Sequence, residues 1–159
     1  MSIESKPLQK AYASRPARAA APRKVLFVTS EMSDYVQAGG LGEVSAALPR
    51  ALGRHCDARV LIPGYRQVLE KHVAIEHVAS LPAAGEIPEC AIGAIKADDG
   101  LVVYVVLCPQ LYDRPGTPYG DEAGVDWPDN DVRFARLSLA AAEFAAGLGD
   151  QSWTPDNLH

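Results

Sequence analysis

The sequence predicts an α/β fold built on a mainly parallel sheet with an added β-hairpin. Residues 25–28 and 59–62 are short apolar runs rich in β-branched side chains, which is typical of buried parallel strands. Between them, residues 41–55 carry apolar side chains at helical spacing, so a βαβ unit with a right-handed crossover is expected. Two further apolar segments, residues 91–97 and 101–107, flank an Asp-Asp-Gly turn and predict the hairpin.

The other segments are predicted from their prolines, glycines and alanines. Pro49 is expected to kink the first helix or to limit its regular part. Residues 109–128 are rich in proline and glycine and are predicted to be loop. An alanine-rich helix should follow Asp129 and end near Gly147 or Gly149.

Size and composition predict one folded domain. A chain of 159 residues that is 48% hydrophobic and 22% charged can bury one ordinary core. Residues 1–22 have no sustained periodicity and are rich in Ala, Pro, Ser and Arg, so they predict a disordered basic leader or, alternatively, an organelle transit peptide. The folded domain is then residues 23–159. Without a long apolar run or a secretory signal, the protein is expected in the cytoplasm, or in a plastid if the leader is a transit peptide, with no membrane partner.

Charge and cysteine patterns exclude several classes of function. Six of the fifteen basic residues lie in the first 24 positions, and the remainder carries nine basic and nineteen acidic residues. An acidic body argues against a nucleic-acid partner, which needs clustered positive charge. Cys56, Cys90 and Cys108 lack paired spacing, so reduced thiols are expected, with Cys108 as a small buried hydrophobe. No spacing typical of metal ligands is present, and no metal site is predicted.

The loop between the first strand and its helix, residues 30–44, is the most informative segment. Gly39 and Gly40 precede the helix, whose free N–H groups favour a diphosphate at the carboxyl ends of the strands. Glycines there allow close approach of a ligand and positive φ. A tight connection without any ligand is the alternative. The spacing is not Gly-x-Gly-x-x-Gly, and the second strand ends without an acid for a ribose, so an NAD-dependent oxidoreductase is disfavoured.

Five polar side chains are candidates with two interpretations each. Glu43 either complements the helix dipole or holds sugar hydroxyls or a developing positive charge. Glu31 is either a polar loop residue or part of a saccharide pocket. Asp129 and Asn130 are candidate N-caps, with a saccharide contact as an additional role. Tyr119 either stacks on a sugar ring or anchors its loop.

Short motifs follow one another in order along residues 24–159. They are Ser-Glu-Met at 30–32, Gly-Gly-Leu-Gly-Glu-Val at 39–44, Ala-Leu-Pro-Arg-Ala-Leu at 47–52, Leu-Tyr-Asp-Arg-Pro-Gly-Thr-Pro-Tyr-Gly at 111–120, Asp-Asn with Arg-Phe within 129–134, and Trp-Thr-Pro-Asp-Asn-Leu-His at 153–159. Together they resemble the N-terminal catalytic domain of bacterial-type glycogen and starch synthases.

The resemblance implies a GT-B glycosyltransferase, in which two Rossmann-like domains enclose the active site. It implies retaining transfer of glucose from ADP-glucose to the non-reducing end of α-1,4-glucan, with no cofactor and no metal requirement. This chain would be the N-terminal domain only, incomplete, with the second GT-B domain absent as a partner, and it is expected to be inactive in isolation. The implied catalytic residue is Glu43, and the implied substrate-binding residues are Gln37, Gly39, Gly40, Glu31, Tyr119, Asp129 and Asn130.

Three departures from the family pattern keep alternatives open. Gln37 stands where the family has lysine, which replaces a cation near the phosphates by a neutral amide. Glu43 replaces an aspartate and keeps the charge. The sequence stops at His159, where the family continues His-x-His-Asp-Trp. The alternatives are a non-catalytic glucan- or sugar-nucleotide-binding module and a GT-B transferase that uses another nucleotide sugar.

Overall fold

The computed structural model describes residues 21–71 and 74–159, so nearly all of the predicted leader lies outside the described residues. Within them the chain forms six strands and four helices. In chain order these are β1 Lys24–Val28, α1 Leu41–Leu52, β2 Asp57–Pro63, α2 Arg66–Lys71, β3 Glu76–Leu81, β4 Cys90–Lys96, β5 Val102–Leu107, α3 Pro109–Tyr112, α4 Asn130–Ala145 and β6 Asn157–Leu158.

The strands form one mixed sheet in the order β3-β4-β5-β2-β1-β6. β5, β2, β1 and β6 are parallel, and Leu61 of β2 pairs with Val28 of β1 and Tyr104 of β5. β3, β4 and β5 are antiparallel neighbours. The parallel sheet and the β4–β5 hairpin confirm the predicted fold class. At the far side, β6 is short and pairs with β1 through Val25↔Asn157 and Leu26↔Leu158.

The helices α1 and α4 cover the parallel half of the sheet. The connection from β1 to β2 and the connection from β5 to β6 run in opposite directions along the sheet. Right-handed crossovers therefore put α1 and α4 on opposite faces. α1 packs on β2, and α4 packs on β1, β2 and β6. The core between these layers includes the fully buried Leu26, Val60, Tyr104 and Phe144.

The first helix differs from the prediction at its end. α1 continues through Pro49 and ends at Leu52, so the proline lies in its last turn and the three residues after Leu52 form a turn. A proline there removes one backbone donor close to the C-terminus, where the helix ends anyway. The helix therefore runs through Pro49 for three more residues, and the predicted extent to residue 55 is too long.

Four elements were not predicted: α2, α3, β3 and the short strand β6. α2 is six residues long and β3 is a largely exposed edge strand, so neither has a clear periodicity. α3 lies inside the segment predicted to be loop, and that prediction is wrong for residues 109–112. Pro109 occupies the first turn of α3, where its missing N–H costs nothing, and Leu111 and Tyr112 are buried.

A polar cluster lies toward the amino ends of β2 and β5. Asp150 accepts hydrogen bonds from the Tyr104 hydroxyl at 2.6 Å and from Arg59 at 3.3 Å. The Arg59 guanidinium lies 4.6 Å from the ring centre of Trp153, which is 2% exposed and donates to Asp57. This cluster fastens the segment before β6 to the sheet.

The cysteines are free thiols, as predicted. Cys108 is 1% exposed, in agreement with its expected role as a buried hydrophobe. Burial raises the pKa of the Cys90 thiol to about 11, so Cys90 is a neutral thiol at pH 7. Within residues 21–71 and 74–159, no helix combines the length and the apolar character needed to cross a bilayer.

Candidate functional site

The loop after β1 starts at the carboxyl ends of the parallel strands and is fixed there by Thr29. The Thr29 N–H donates to the Leu61 carbonyl, and the buried Thr29 hydroxyl lies 2.8 Å from the Ser45 hydroxyl of α1. The Thr29 hydroxyl also donates to the Glu31 carbonyl at 2.8 Å and accepts from the Glu31 N–H at 3.2 Å. The strand end, the loop and the helix therefore meet at one buried pair of hydroxyls.

Glu31 is a buried carboxylate that holds the loop from inside. Its Oε2 accepts hydrogen bonds from the backbone N–H groups of Ala38 at 2.8 Å and Gly39 at 2.9 Å. Its Oε1 accepts from the Tyr119 hydroxyl at 2.5 Å, and the residue is 2% exposed. Desolvation acts to raise the pKa of Glu31, but the hydrogen bonds from Tyr119, Ala38, Gly39 and Gly42 together hold it below its ordinary value. Glu31 therefore stays ionised at neutral pH.

The glycines of the turn have different structural reasons. Neither Gly39 nor Gly40 has positive φ, and a Cβ on either would meet nothing within 4 Å. Positive φ therefore does not explain them, and open space in front of the backbone is what they provide. Gly42 is different, because a Cβ there would lie 3.0 Å from the Gln37 side chain and 3.4 Å from the Ser33 nitrogen. Gly42 is needed for packing, whereas Gly39 and Gly40 leave room for a ligand.

One of the two glycine N–H groups of the turn is hydrogen-bonded within the described part of the protein, and the other is not. The Gly39 N–H points inward to Glu31, so it is occupied in this structure. Among the described residues the Gly40 N–H, at the N-cap of α1, has no hydrogen-bond acceptor. Of the two donors that the sequence suggested for phosphate, Gly40 is therefore the one available.

Gln37 and Glu43 are both exposed on the outer side of this turn. The Gln37 side-chain amide donates to the Gly39 carbonyl at 3.2 Å. Glu43 lies in the first turn of α1, where its charge complements the free N–H groups of the helix. Within the part of the chain that the structure describes, the Glu43 carboxylate has no side-chain partner.

Tyr119 brings the proline-rich loop to the glycine turn. Besides Glu31, its hydroxyl contacts the Ser30 hydroxyl at 3.0 Å, and its ring lies 6.0 Å from that of Phe134. Its carbonyl accepts from the Asn130 side-chain amide at 2.8 Å. The anchoring role is thus the one seen in the structure, and Glu31, Tyr119 and Asn130 form a connected chain of hydrogen bonds.

Asp129 and Asn130 do not cap α4 with their side chains. Asp129 occupies the N-cap position, but its carboxylate accepts a bidentate pair of hydrogen bonds from Arg114, at 2.8 and 2.6 Å. It makes no hydrogen bond to a backbone N–H of the helix. The hydrogen bonding from Arg114 lowers the pKa of Asp129. Asn130 is occupied by Tyr119 and Arg133. The N-cap interpretation is therefore wrong for both side chains, because these neighbours offer them charged or geometrically better partners.

Arg133 is the main supporting residue that sequence reasoning missed. It is 2% exposed, and its guanidinium donates to the carbonyls of Leu111 and Pro118 and to the side chain of Asn130. Burial lowers the pKa of Arg133. The residue falls within the Asp-Asn-x-x-Arg-Phe motif, and that motif was the only signal that could have marked it.

The two cavities beside the β4–β5 turn do not coincide with this site. Their volumes are 480 and 510 Å³, and both are lined by Arg50 and Asp99. Neither contains any of the eight predicted site residues. Within residues 21–71 and 74–159, no group of three or more His, Cys, Asp or Glu side chains is placed to hold a metal ion.

The arrangement defines a class of α/β proteins that offer a helix N-terminus and an open glycine turn at the carboxyl ends of parallel strands. The starch synthase catalytic domain family matches residues 24–159. The chain therefore belongs to the starch synthase catalytic domain family.

Individual relatives agree with this assignment. The chain is 60% identical over 137 residues to a glycogen synthase of Pseudomonas putida, and the alignment covers 86% of this chain and 26% of that protein. It is 55% identical over 128 residues to glycogen synthase 1 of Bradyrhizobium diazoefficiens, covering 80% of the chain and 28% of that protein. The chain thus spans only about a quarter of the length of these relatives.

A solved structure shares the fold. The catalytic domain of starch synthase IV from Arabidopsis thaliana, bound to ADP and acarbose, superposes with a TM-score of 0.60. The identity is 23%, and the match covers 88% of this chain and 28% of that one. This likeness supports the predicted α/β fold for the described residues.

Proposed function

We propose that the protein containing this chain is a glycogen synthase that transfers glucose from ADP-glucose to the non-reducing end of an α-1,4-glucan with retention of configuration. The observation that carries the proposal is the family match over residues 24–159, which includes the glycine turn. The open space in front of Gly39 and Gly40 supports a nucleotide diphosphate at that turn. Residues 23–159 would then form the first of two domains.

The proposed chemistry follows from the charge that develops when ADP leaves. Departure of a diphosphate creates negative charge, which the Gly40 N–H and the Gln37 amide would stabilise. Glu43, in the first turn of α1, would face the sugar side of the same site. Asp129 and Asn130 would shape the saccharide side of the cleft, and Tyr119 would hold the proline-rich loop beside the glycine turn. Since the relatives are bacterial, we place the protein in the cytoplasm.

The test measures incorporation of labelled glucose from ADP-glucose into glycogen by the full-length gene product. We expect turnover and a product that an α-1,4-specific glucanase degrades. Competition with UDP-glucose and GDP-glucose identifies the donor. The polypeptide of residues 1–159 serves as a comparison and should give no transfer, because a single wall of the cleft cannot hold the donor.

One observation favours a second candidate, a binding module without turnover. Gln37 replaces a cation by an amide whose own hydrogen bond goes to the Gly39 carbonyl. Glucan or ADP binding by the full-length protein without any glucose transfer would favour the binding module and contradict the proposed enzyme.

A further inference from the structure

The Glu31 carboxylate has little capacity left for a sugar. A carboxylate offers about four acceptor sites. Two backbone N–H groups use Oε2, and the Tyr119 hydroxyl uses Oε1. Because the residue is also 2% exposed, a saccharide hydroxyl has no open route to it.

The same carboxylate joins two loops that are far apart in sequence. Ala38 and Gly39 lie seven and eight residues after Glu31 in the glycine turn, and Tyr119 lies 88 residues after it in the proline-rich loop. Both loops lie beyond the carboxyl ends of parallel strands. Glu31 is therefore a bridge between the two loops.

The bridge also decides which backbone donors face outward. By accepting from Ala38 and Gly39, Glu31 turns those two N–H groups toward the inside of the loop. The next N–H along the chain, that of Gly40, is left without an acceptor among the described residues. The ionised state of Glu31, maintained by these hydrogen bonds, keeps this orientation fixed at neutral pH.

The geometry points to Glu31 as a positioning residue that orients the glycine turn for a nucleoside diphosphate and contacts neither the sugar nor the glucan. The inference rests on the proposed function for the identity of the ligand. It replaces the saccharide-pocket interpretation of Glu31. Tyr119 is the second part of the same device, because its hydroxyl holds the carboxylate in place.

The binding test uses the full-length gene product and compares ADP with ADP-glucose by calorimetry. Glu31→Gln should weaken both ligands by the same factor, about tenfold or more, since the charged acceptor of two N–H groups is lost. Tyr119→Phe should weaken both by a smaller common factor. A loss for ADP-glucose with unchanged ADP affinity would show a sugar contact and overturn the inference.

Asp150→Asn is the matched control. Asp150 also accepts from a tyrosine hydroxyl and from a backbone N–H, but it lies toward the amino ends of the strands. Its substitution should leave both affinities at the wild-type level. Equal losses in Asp150→Asn and Glu31→Gln would indicate general destabilisation and contradict a specific role of Glu31.

A second measurement works without any nucleotide. Hydrogen exchange of the Ala38 and Gly39 amides should be slow in the wild type and in Asp150→Asn, and faster in Glu31→Gln and Tyr119→Phe. Unchanged exchange in Glu31→Gln would refute the anchoring. If the wild type binds no ADP while exchange responds as expected, the proposed function fails and the anchoring by Glu31 stands.

Discussion

Gln37 lies on the exposed side of the glycine turn, at the position where the glycogen and starch synthase pattern has lysine. Its amide bonds the carbonyl of Gly39, and its side chain also packs against Gly42, where it would lie 3.0 Å from an added Cβ. The amide can donate a hydrogen bond to a phosphate but brings no net charge. At the scale of single residues, Gln37 therefore sets the strength of the proposed diphosphate site.

We expect Gln37→Lys to tighten ADP binding by the full-length protein about fivefold to tenfold, because a charged donor replaces a neutral one. Calorimetry at low and high salt measures the effect, which should shrink as salt screens the charge. Gln151→Lys adds the same charge at an exposed position in the segment that follows α4, and it should leave ADP affinity unchanged. Equal affinities in Gln37→Lys and the wild type would contradict a phosphate near residue 37.

The sequence indicated the turn but not its internal bonding. Gly39 and Gly40 could be selected because glycines before a helix have a local reason that is visible in the sequence. The bond between Glu31 and Tyr119 joins residues 88 apart, and no local spacing encodes such a contact. For this reason the sequence left the role of Glu31 undecided. The N-cap role assigned to the side chains at 129 and 130 was wrong, although the residues themselves were found.

At the scale of elements, the proline-rich loop and α4 are joined by two arginines of different kinds. Arg133 is buried and bonds three acceptors in the loop and helix. Arg114 is partly exposed, with 24% of its side chain accessible, and pairs with Asp129. The two arginines also lie 5.8 and 5.1 Å from the ring centre of Trp127.

Arg133→Met should destabilise the protein by about 2–4 kcal/mol, because the carbonyls of Leu111 and Pro118 lose their buried donor. Urea unfolding followed by tryptophan fluorescence measures the change. Arg114→Met is the comparison, and its loss should be at most about 1 kcal/mol, as for other partly exposed ion pairs. A loss for Arg114→Met as large as that for Arg133→Met would contradict the role assigned to burial.

The elements themselves were predictable where they were long and periodic. β1, β2, the β4–β5 hairpin, α1 and α4 follow from apolar patterns in the sequence. α2, α3 and β3 are short, and Leu81 is the one buried residue of β3. Their conformation depends on packing against distant segments, so local pattern alone could not specify them.

At the scale of the whole molecule, several carboxylates fix the pH range of stability. The pKa values of Glu31, Asp99 and Asp129 lie below their ordinary values, and so does that of Asp150. The side-chain bond from Arg50 is the main cause for Asp99, and the bond from Arg114 is the main cause for Asp129. Hydrogen bonds to Glu31 and Asp150 outweigh the opposing effect of desolvation.

Each of these groups binds its proton more weakly in the folded state than in the unfolded state. Their contribution to stability is therefore complete above their ordinary pKa values and is lost as pH falls through the lower folded values. We expect the thermal midpoint to be constant from pH 7 to about 5 and to fall steadily below about pH 4.5. Melting curves of the full-length protein and of Glu31→Gln test this, and the variant should lose less on acidification. A midpoint that stays constant down to pH 3 would contradict the linkage.

The pairing of β6 with β1 has a consequence for the order of folding. Lys24 and Asp156, which are 132 residues apart, are joined by a bond from the Lys24 N–H to the Asp156 carboxylate. Closing so large a segment costs chain entropy, which favours the pairing of β6 with β1 after β1 and its neighbours in the sheet have formed. The transition state for folding should therefore contain the β2–β5 and β4–β5 pairings. The pairing of β6 with β1 should form after the transition state. Substitutions in β6 should accelerate unfolding and leave the refolding rate nearly unchanged.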